Sequence, residues 1–97
     1  LIIMDRGKIL TSGGPQELIT RYVSKFVLEV HDVHDRSLAS TSPDVVGEAH
    51  GVTHYYFSDS PELLSRVMSQ FENYESLLRP SNLEDVFLRL TERERLE

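Results

Sequence analysis

The sequence predicts an α+β fold, an antiparallel sheet carrying helices on one face. Two observations predict it. Short extended runs are interrupted by apolar stripes at helical spacing, each stripe opened by a proline or a serine. From residue 25 onward the order is strand, short connection, strand, strand, helix, strand, helix. At 97 residues the chain holds one compact domain, or a small domain plus a piece of another, which rules out a multidomain enzyme.

Residues 1–10 read as strand, turn, strand. Leu1 to Met4 are apolar, Asp5-Arg6-Gly7-Lys8 supplies the turn, and Ile9-Leu10 resume extended character. Thr11-Ser12-Gly13-Gly14 breaks the run, and Pro15 suits the first turn of a helix, where a missing N–H costs nothing. Leu18, Ile19, Tyr22 and Val23 give that helix one apolar face. An opening strand with no partner upstream, no initiator methionine and no basic segment before it reads as a piece of a longer protein.

Lys25 to His31 alternates, with Phe26, Leu28 and Val30 on one side and Val27, Glu29 and His31 on the other. His34 to Pro43 is a polar, serine-rich connection with at most one helical turn around Ser37-Leu38-Ala39. Asp44 to His50 and Val52 to Ser58 are extended and meet at Gly51, a hairpin in which Tyr55 and Phe57 supply aromatic pairs. Ser60-Pro61-Glu62 opens a helix with a capping hydroxyl, a proline and an acid in the first turn. Leu63, Leu64, Val67, Met68 and Phe71 form its apolar stripe.

Tyr74 to Leu78 is a short strand stopped by Arg79-Pro80. A last helix begins at Ser81, where Ser81 and Glu84 are spaced as a capping box; Leu83, Val86, Phe87 and Leu90 are its buried face. Thr91 to Glu97 alternates charges and is expected to fray. This order resembles a ferredoxin-like split βαβ sandwich whose first crossover is shortened and which gains a C-terminal helix. Helices on one face leave the other to solvent or a partner.

Composition excludes much chemistry. With no cysteine there are no disulfides, thiolate metal sites or thiol nucleophiles. Sixteen acids against 10 bases argue against a general nucleic-acid binder. No apolar run approaches the ~20 residues that span a bilayer, so a soluble chain is expected. His31, His34, His50 and His54 invite a metal reading, but they straddle strand ends and a hairpin without a zinc spacing, and solvated strand-edge histidines account for them. No serine sits in a nucleophile elbow. The acid pairs Asp32/Asp35 and Glu84/Asp85 fall in a loop and in a helix's first turn, and the second pair is explained by capping and the helix dipole. Gly13-Gly14 precedes a helix without a phosphate-binding motif. Arg66, Arg79, Arg89, Arg93 and Arg95 read as solvated helix faces. No cofactor or metal site, and no enzyme, is visible in the residues.

Two segments say more. Ile2-Ile3-Met4-Asp5-Arg6-Gly7-Lys8-Ile9-Leu10, with Ser12-Gly13-Gly14-Pro15-Gln16-Glu17-Leu18, resembles the end of an ABC-transporter ATP-binding domain. Arg79-Pro80-Ser81-Asn82-Leu83-Glu84-Asp85-Val86-Phe87-Leu88-Arg89-Leu90-Thr91 resembles the ending of the accessory domain in exporter ATPases of the daunorubicin-resistance and nodulation-factor type. The resemblance is strongest at both ends and weak from His31 to Gly51.

The resemblance implies residues 1–24 as the last hairpin and helix of an ATPase domain and residues 25–97 as a C-terminal accessory domain. The family's phosphate-binding lysine, catalytic acid, signature motif and switch histidine lie upstream and are absent here, so ATP and magnesium belong to the parent. The implied partners are a second copy of the ATP-binding subunit and a membrane-spanning permease at the cytoplasmic face of the cell membrane. Nucleic acid is not among them. The implied role is dimerisation or tuning of the transport cycle; the alternative is a small-ligand sensor using a sheet face with His54, Tyr55 and Tyr56. The transferred motif is Ser81, Asn82, Leu83, Glu84, Asp85, Val86 and Phe87, with Ser81 and Glu84 capping, Leu83, Val86 and Phe87 packing, and Asp85 left exposed for a partner. The family often has a fuller helix after the first strand, where only Asp35 to Ala39 is available here.

Overall fold

A computed structural model of the chain describes residues 1–39 and 42–96, the side chains of 92–96 excepted. The chain divides into two compact units, residues 1–23 with 81–97, and residues 24–80.

The first unit opens on strands β1 (Ile2–Asp5) and β2 (Lys8–Ser12), an antiparallel hairpin. Its turn places Arg6 and Gly7 at φ of 53° and 78°, the left-handed pair that matches the twist of a two-residue connection. The register shifts between Ile3 and Met4, so Leu10 is an extra residue on the second strand. Helix α1 (Pro15–Tyr22) follows, with its proline in the first turn, Glu17 near its N-terminus and Arg21 near its C-terminus. Both charges suit the helix dipole, and they lie 3.7 Å apart. The unit's other helix, α3 (Leu83–Leu96), donates from Arg89 Nη1 to the Tyr22 carbonyl at 3.0 Å, placing a cation on the unpaired C-terminal end of α1. The backbone stays helical through Leu96, against the fraying expected over Thr91 to Glu97, while the side chains of Arg93 and Arg95 lie outside the described residues.

The second unit is a four-stranded antiparallel sheet. Strands β3 (Phe26–Val30), β4 (Val46–His50), β5 (Thr53–Ser58) and β6 (Ser76–Pro80) lie in the order β4-β5-β3-β6, the ferredoxin-like arrangement. Helix α2 (Pro61–Met68) and a short 3-10 turn (Ser69–Phe71) connect β5 to β6. Ser60 caps α2 by accepting from the Leu63 amide, as its sequence requires. Strand β6 extends to Pro80, two residues past the expected stop. Proline is tolerated there because β6 is an edge strand, and the position needs no second ladder bond.

Register sorts the side chains. Leu28, Tyr56 and Leu78 stand opposite one another, as do Val30 and His54. This face meets α2, and Leu28, Val30, Tyr56, Leu64 and Val67 form its core. Val33 and Val45 join the same core from residues 31–45, the connection between β3 and β4. No helix forms in its described part. Instead the Val33 amide donates to the Val52 carbonyl at 2.7 Å, and the Ala39 amide donates to the Tyr56 hydroxyl at 2.9 Å. The shortened crossover is therefore a strap that supplies apolar side chains to the sheet without a helix's own ladder.

Candidate functional site

The transferred motif lies in the first unit, at the start of α3. Its cap is one residue later than the spacing of Ser81 and Glu84 suggests. The Asp85 amide donates to Asn82 Oδ1 at 3.2 Å, and the Asn82 amide donates to Asp85 Oδ2 at 2.8 Å. These reciprocal bonds make Asn82-Leu83-Glu84-Asp85 the capping box, and they bury Asp85 rather than exposing it. The carboxylate is spent on a backbone donor and on the positive end of the helix. Val86 is fully buried as expected, Leu83 is half-buried, and Phe87 is 43% exposed, contrary to its expected place in the core. Phe87 stands about 100° round the axis from Val86, on the side away from the buried Asp85, and the Thr91 hydroxyl donates to the Phe87 carbonyl at 2.9 Å.

The four histidines stay apart in function. His31 Nε2 lies 3.3 Å from Glu29, His34 Nε2 lies 2.9 Å from Asp32, and His50 Nε2 lies 3.6 Å from Glu48. Each sits beside a nearby acid, and no group of three potential metal ligands occurs among the described residues. His54 departs from the solvated reading. It is fully buried, its Nδ1 lies 3.2 Å from the Tyr56 hydroxyl, and its Nε2 has no hydrogen-bond partner among the described residues. The Tyr56 hydroxyl thus has the Ala39 amide on one side and His54 Nδ1 on the other.

His54 and Tyr56 are not on the same face as Tyr55. Two-residue alternation puts Tyr55 and Phe57 on the opposite side of β5, where their rings stack at 6.4 Å. That face also carries Glu29, Arg79 and Leu77. Arg79, read from sequence as a strand stop on a solvated helix face, is a strand residue whose guanidinium pairs with Glu29. Glu29 holds Arg79 on one oxygen and His31 on the other. No sequence spacing reveals this pair, because it depends on the register between strands 50 residues apart. On the helix-bearing side, a cleft of about 350 Å³ is lined by Ser65, Met68, Phe71, Glu72, Tyr74 and Ser76.

No described helix is long and apolar enough to cross a membrane. The family described as "Nodulation factor export protein NodI, C-terminal domain" matches residues 30–91. Among curated proteins, the chain is 36% identical to the Nod factor export ATP-binding protein I of Mesorhizobium japonicum, over 97% of this chain and 28% of that protein. It is 35% identical to that of Sinorhizobium fredii, over 97% and 28%, and 39% identical to that of Ralstonia nicotianae, over 97% and 32%. The chain thus spans less than a third of the length of these relatives. No solved structure matches it. With a ferredoxin-like sheet, the Asn82–Asp85 motif and a family match over most of its length, the chain belongs to the family of NodI C-terminal domains, carried by ABC-type ATP-binding proteins.

Proposed function

We propose that this chain is a non-catalytic accessory module of an exporter's ATP-binding subunit, aiding the pairing of two such subunits or tuning the ATP-driven cycle. The observation that carries this reading is the family match over residues 30–91, which takes in the Asn82–Asp85 capping motif. The relatives' names extend it to a parent that exports Nod factor. In that parent, ATP and magnesium bind upstream of this chain, a permease is the membrane partner, and the module lies at the cytoplasmic face. Residues 1–24 are then the last hairpin and helix of the ATPase domain. The exposed Leu1, Ile2, Met4 and Ile9 of that hairpin support this, being apolar side chains fit to pack on further sheet.

The test is the parent protein with and without residues 25–97, assayed for sedimentation and for transport. The reading expects weaker pairing or altered transport on deletion. Unchanged pairing together with unchanged transport removes it. Small-ligand sensing is the second reading. It loses the His54–Tyr55–Tyr56 face, because His54 and Tyr56 are buried, but the cleft beside Phe71 and Tyr74 supports it. A flat thermal-shift response to metabolites and export substrates rejects this second role.

A further inference from the structure

Strand β6 leaves a backbone row unused. It ends the sheet order, and among the described residues only β3 pairs with it. The His31 amide donates to the Glu75 carbonyl at 2.9 Å, which fixes the phase of that ladder. Alternation then gives Leu77 and Arg79 to β3, opposite Glu29 and Val27, while Ser76 and Leu78 turn their N–H and C=O groups outward. Pro80 ends the strand with a carbonyl alone. On the face away from α2, Leu77 stands 51% exposed beside this row. An outward row flanked by an exposed apolar side chain is a template for another strand.

We propose that β6 pairs antiparallel with β6 of a second copy, about a two-fold axis at Leu77, joining two four-stranded sheets into one. The proposal rests on the pairing role given above and names its surface. Backbone groups alone select the register. Ser76 opposite itself sends Leu78 to Tyr74, which lies outside the strand and whose amide already donates to the Phe71 carbonyl at 3.0 Å. Leu78 opposite itself sends Ser76 to Pro80, which has no N–H to give. Each of these leaves a carbonyl of the row without a donor. Ser76 opposite Leu78 pairs the N–H and C=O of both residues, twice by symmetry. It also places the two Leu77 side chains across from each other at the close, non-bonded position. The exposed side chain thereby meets its own copy. Glu75 comes level with Arg79 of the other copy, so no like charges meet; Arg79 keeps Glu29, and the register does not depend on it. The ladder is short, so the dimer is a weak one.

The test is sedimentation equilibrium of the 97-residue chain from micromolar to millimolar concentration, with circular dichroism as the folding control. A monomer–dimer equilibrium is expected. Leu77→Glu and Leu77→Lys each place like charges at the axis and weaken the dimer at least about tenfold. An equal mixture of the two chains restores it to within about threefold of the starting chain. That rescue needs position 77 to face itself, which the other registers do not allow. Ser76→Pro removes an outward N–H that β3 does not use, so it abolishes the dimer with the sheet intact. Should Ser76→Pro fail to fold, the Leu77 mixture decides. A dimer indifferent to these changes, or a monomer at every concentration, overturns the β6 edge. The pairing role is decided separately, by deleting residues 25–97 from the parent.

Discussion

The Ala39 amide donates to the hydroxyl of Tyr56, and this bond fastens the strap between β3 and β4 to the sheet. The same hydroxyl faces His54 Nδ1, so one oxygen serves a backbone donor and a ring nitrogen inside the core. Tyr56→Phe keeps the ring and removes the oxygen. It leaves the Ala39 amide and a second His54 nitrogen without partners, so the expected loss is about 1–3 kcal/mol. Urea unfolding measures it, and hydrogen exchange at Ala39 accelerates more than at Leu28.

Burial raises the Tyr56 phenol above its ordinary value of 10.0, opposed in part by the hydrogen bond from Ala39. The folded chain therefore holds this proton to higher pH than the unfolded chain. Its stabilisation is complete below the unfolded value of about 10 and is lost as pH rises through the folded value. The urea midpoint is expected to fall on the alkaline side of pH ~10, and less steeply in Tyr56→Phe.

Asn82 and Asp85 cap each other's backbone, so Asn82→Ala is expected to cost about 1 kcal/mol and Asp85→Ala somewhat more, since Asp85 is buried. The double variant costs less than the sum, because either change breaks the box. Glu84→Ala, at an exposed first-turn position, costs under about 0.5 kcal/mol. Thermal unfolding of the starting chain and these four variants checks the cycle; a Glu84 effect equal to that of Asp85 overturns the assignment.

These outcomes separate what the sequence shows from what it hides. Local signals are legible: the alternation of Phe26, Leu28 and Val30, the Ser60-Pro61 helix start and the turn at Gly51 all stand where they were expected. Start points one residue apart are not. Ser81 with Glu84 and Asn82 with Asp85 have the same spacing, and the chain uses the second pair. Asp85 and Phe87 flank the buried Val86 about 100° to either side, and burial falls on the Asp85 side, where the carboxylate meets the Asn82 amide. Contacts that depend on register are hidden altogether, as the Glu29–Arg79 pair shows. Likewise the burial of His54 follows from its standing opposite Val30, not from any neighbour in sequence.

Gly47 shows what the missing crossover helix demands of the sheet. A Cβ built there would lie 3.1 Å from Tyr56 Cε1 and 3.2 Å from Leu38 Cδ1, so the strap and the tyrosine ring both close on this position. Gly47→Ala should gain about 0.5–1 kcal/mol from a stiffer unfolded chain, and overpacking costs about 1–3 kcal/mol against that gain. Loss is expected to win, because the ring is held at its hydroxyl by Ala39 and its other edge abuts Phe71, with centroids 5.9 Å apart. A net destabilisation near 1 kcal/mol follows, with faster exchange at Ala39. Leu38→Ala in the same chain relieves only the strap side of the contact and recovers part of the loss. If Gly47→Ala instead raises the urea midpoint, the strap is not seated on β4 in the way these distances require.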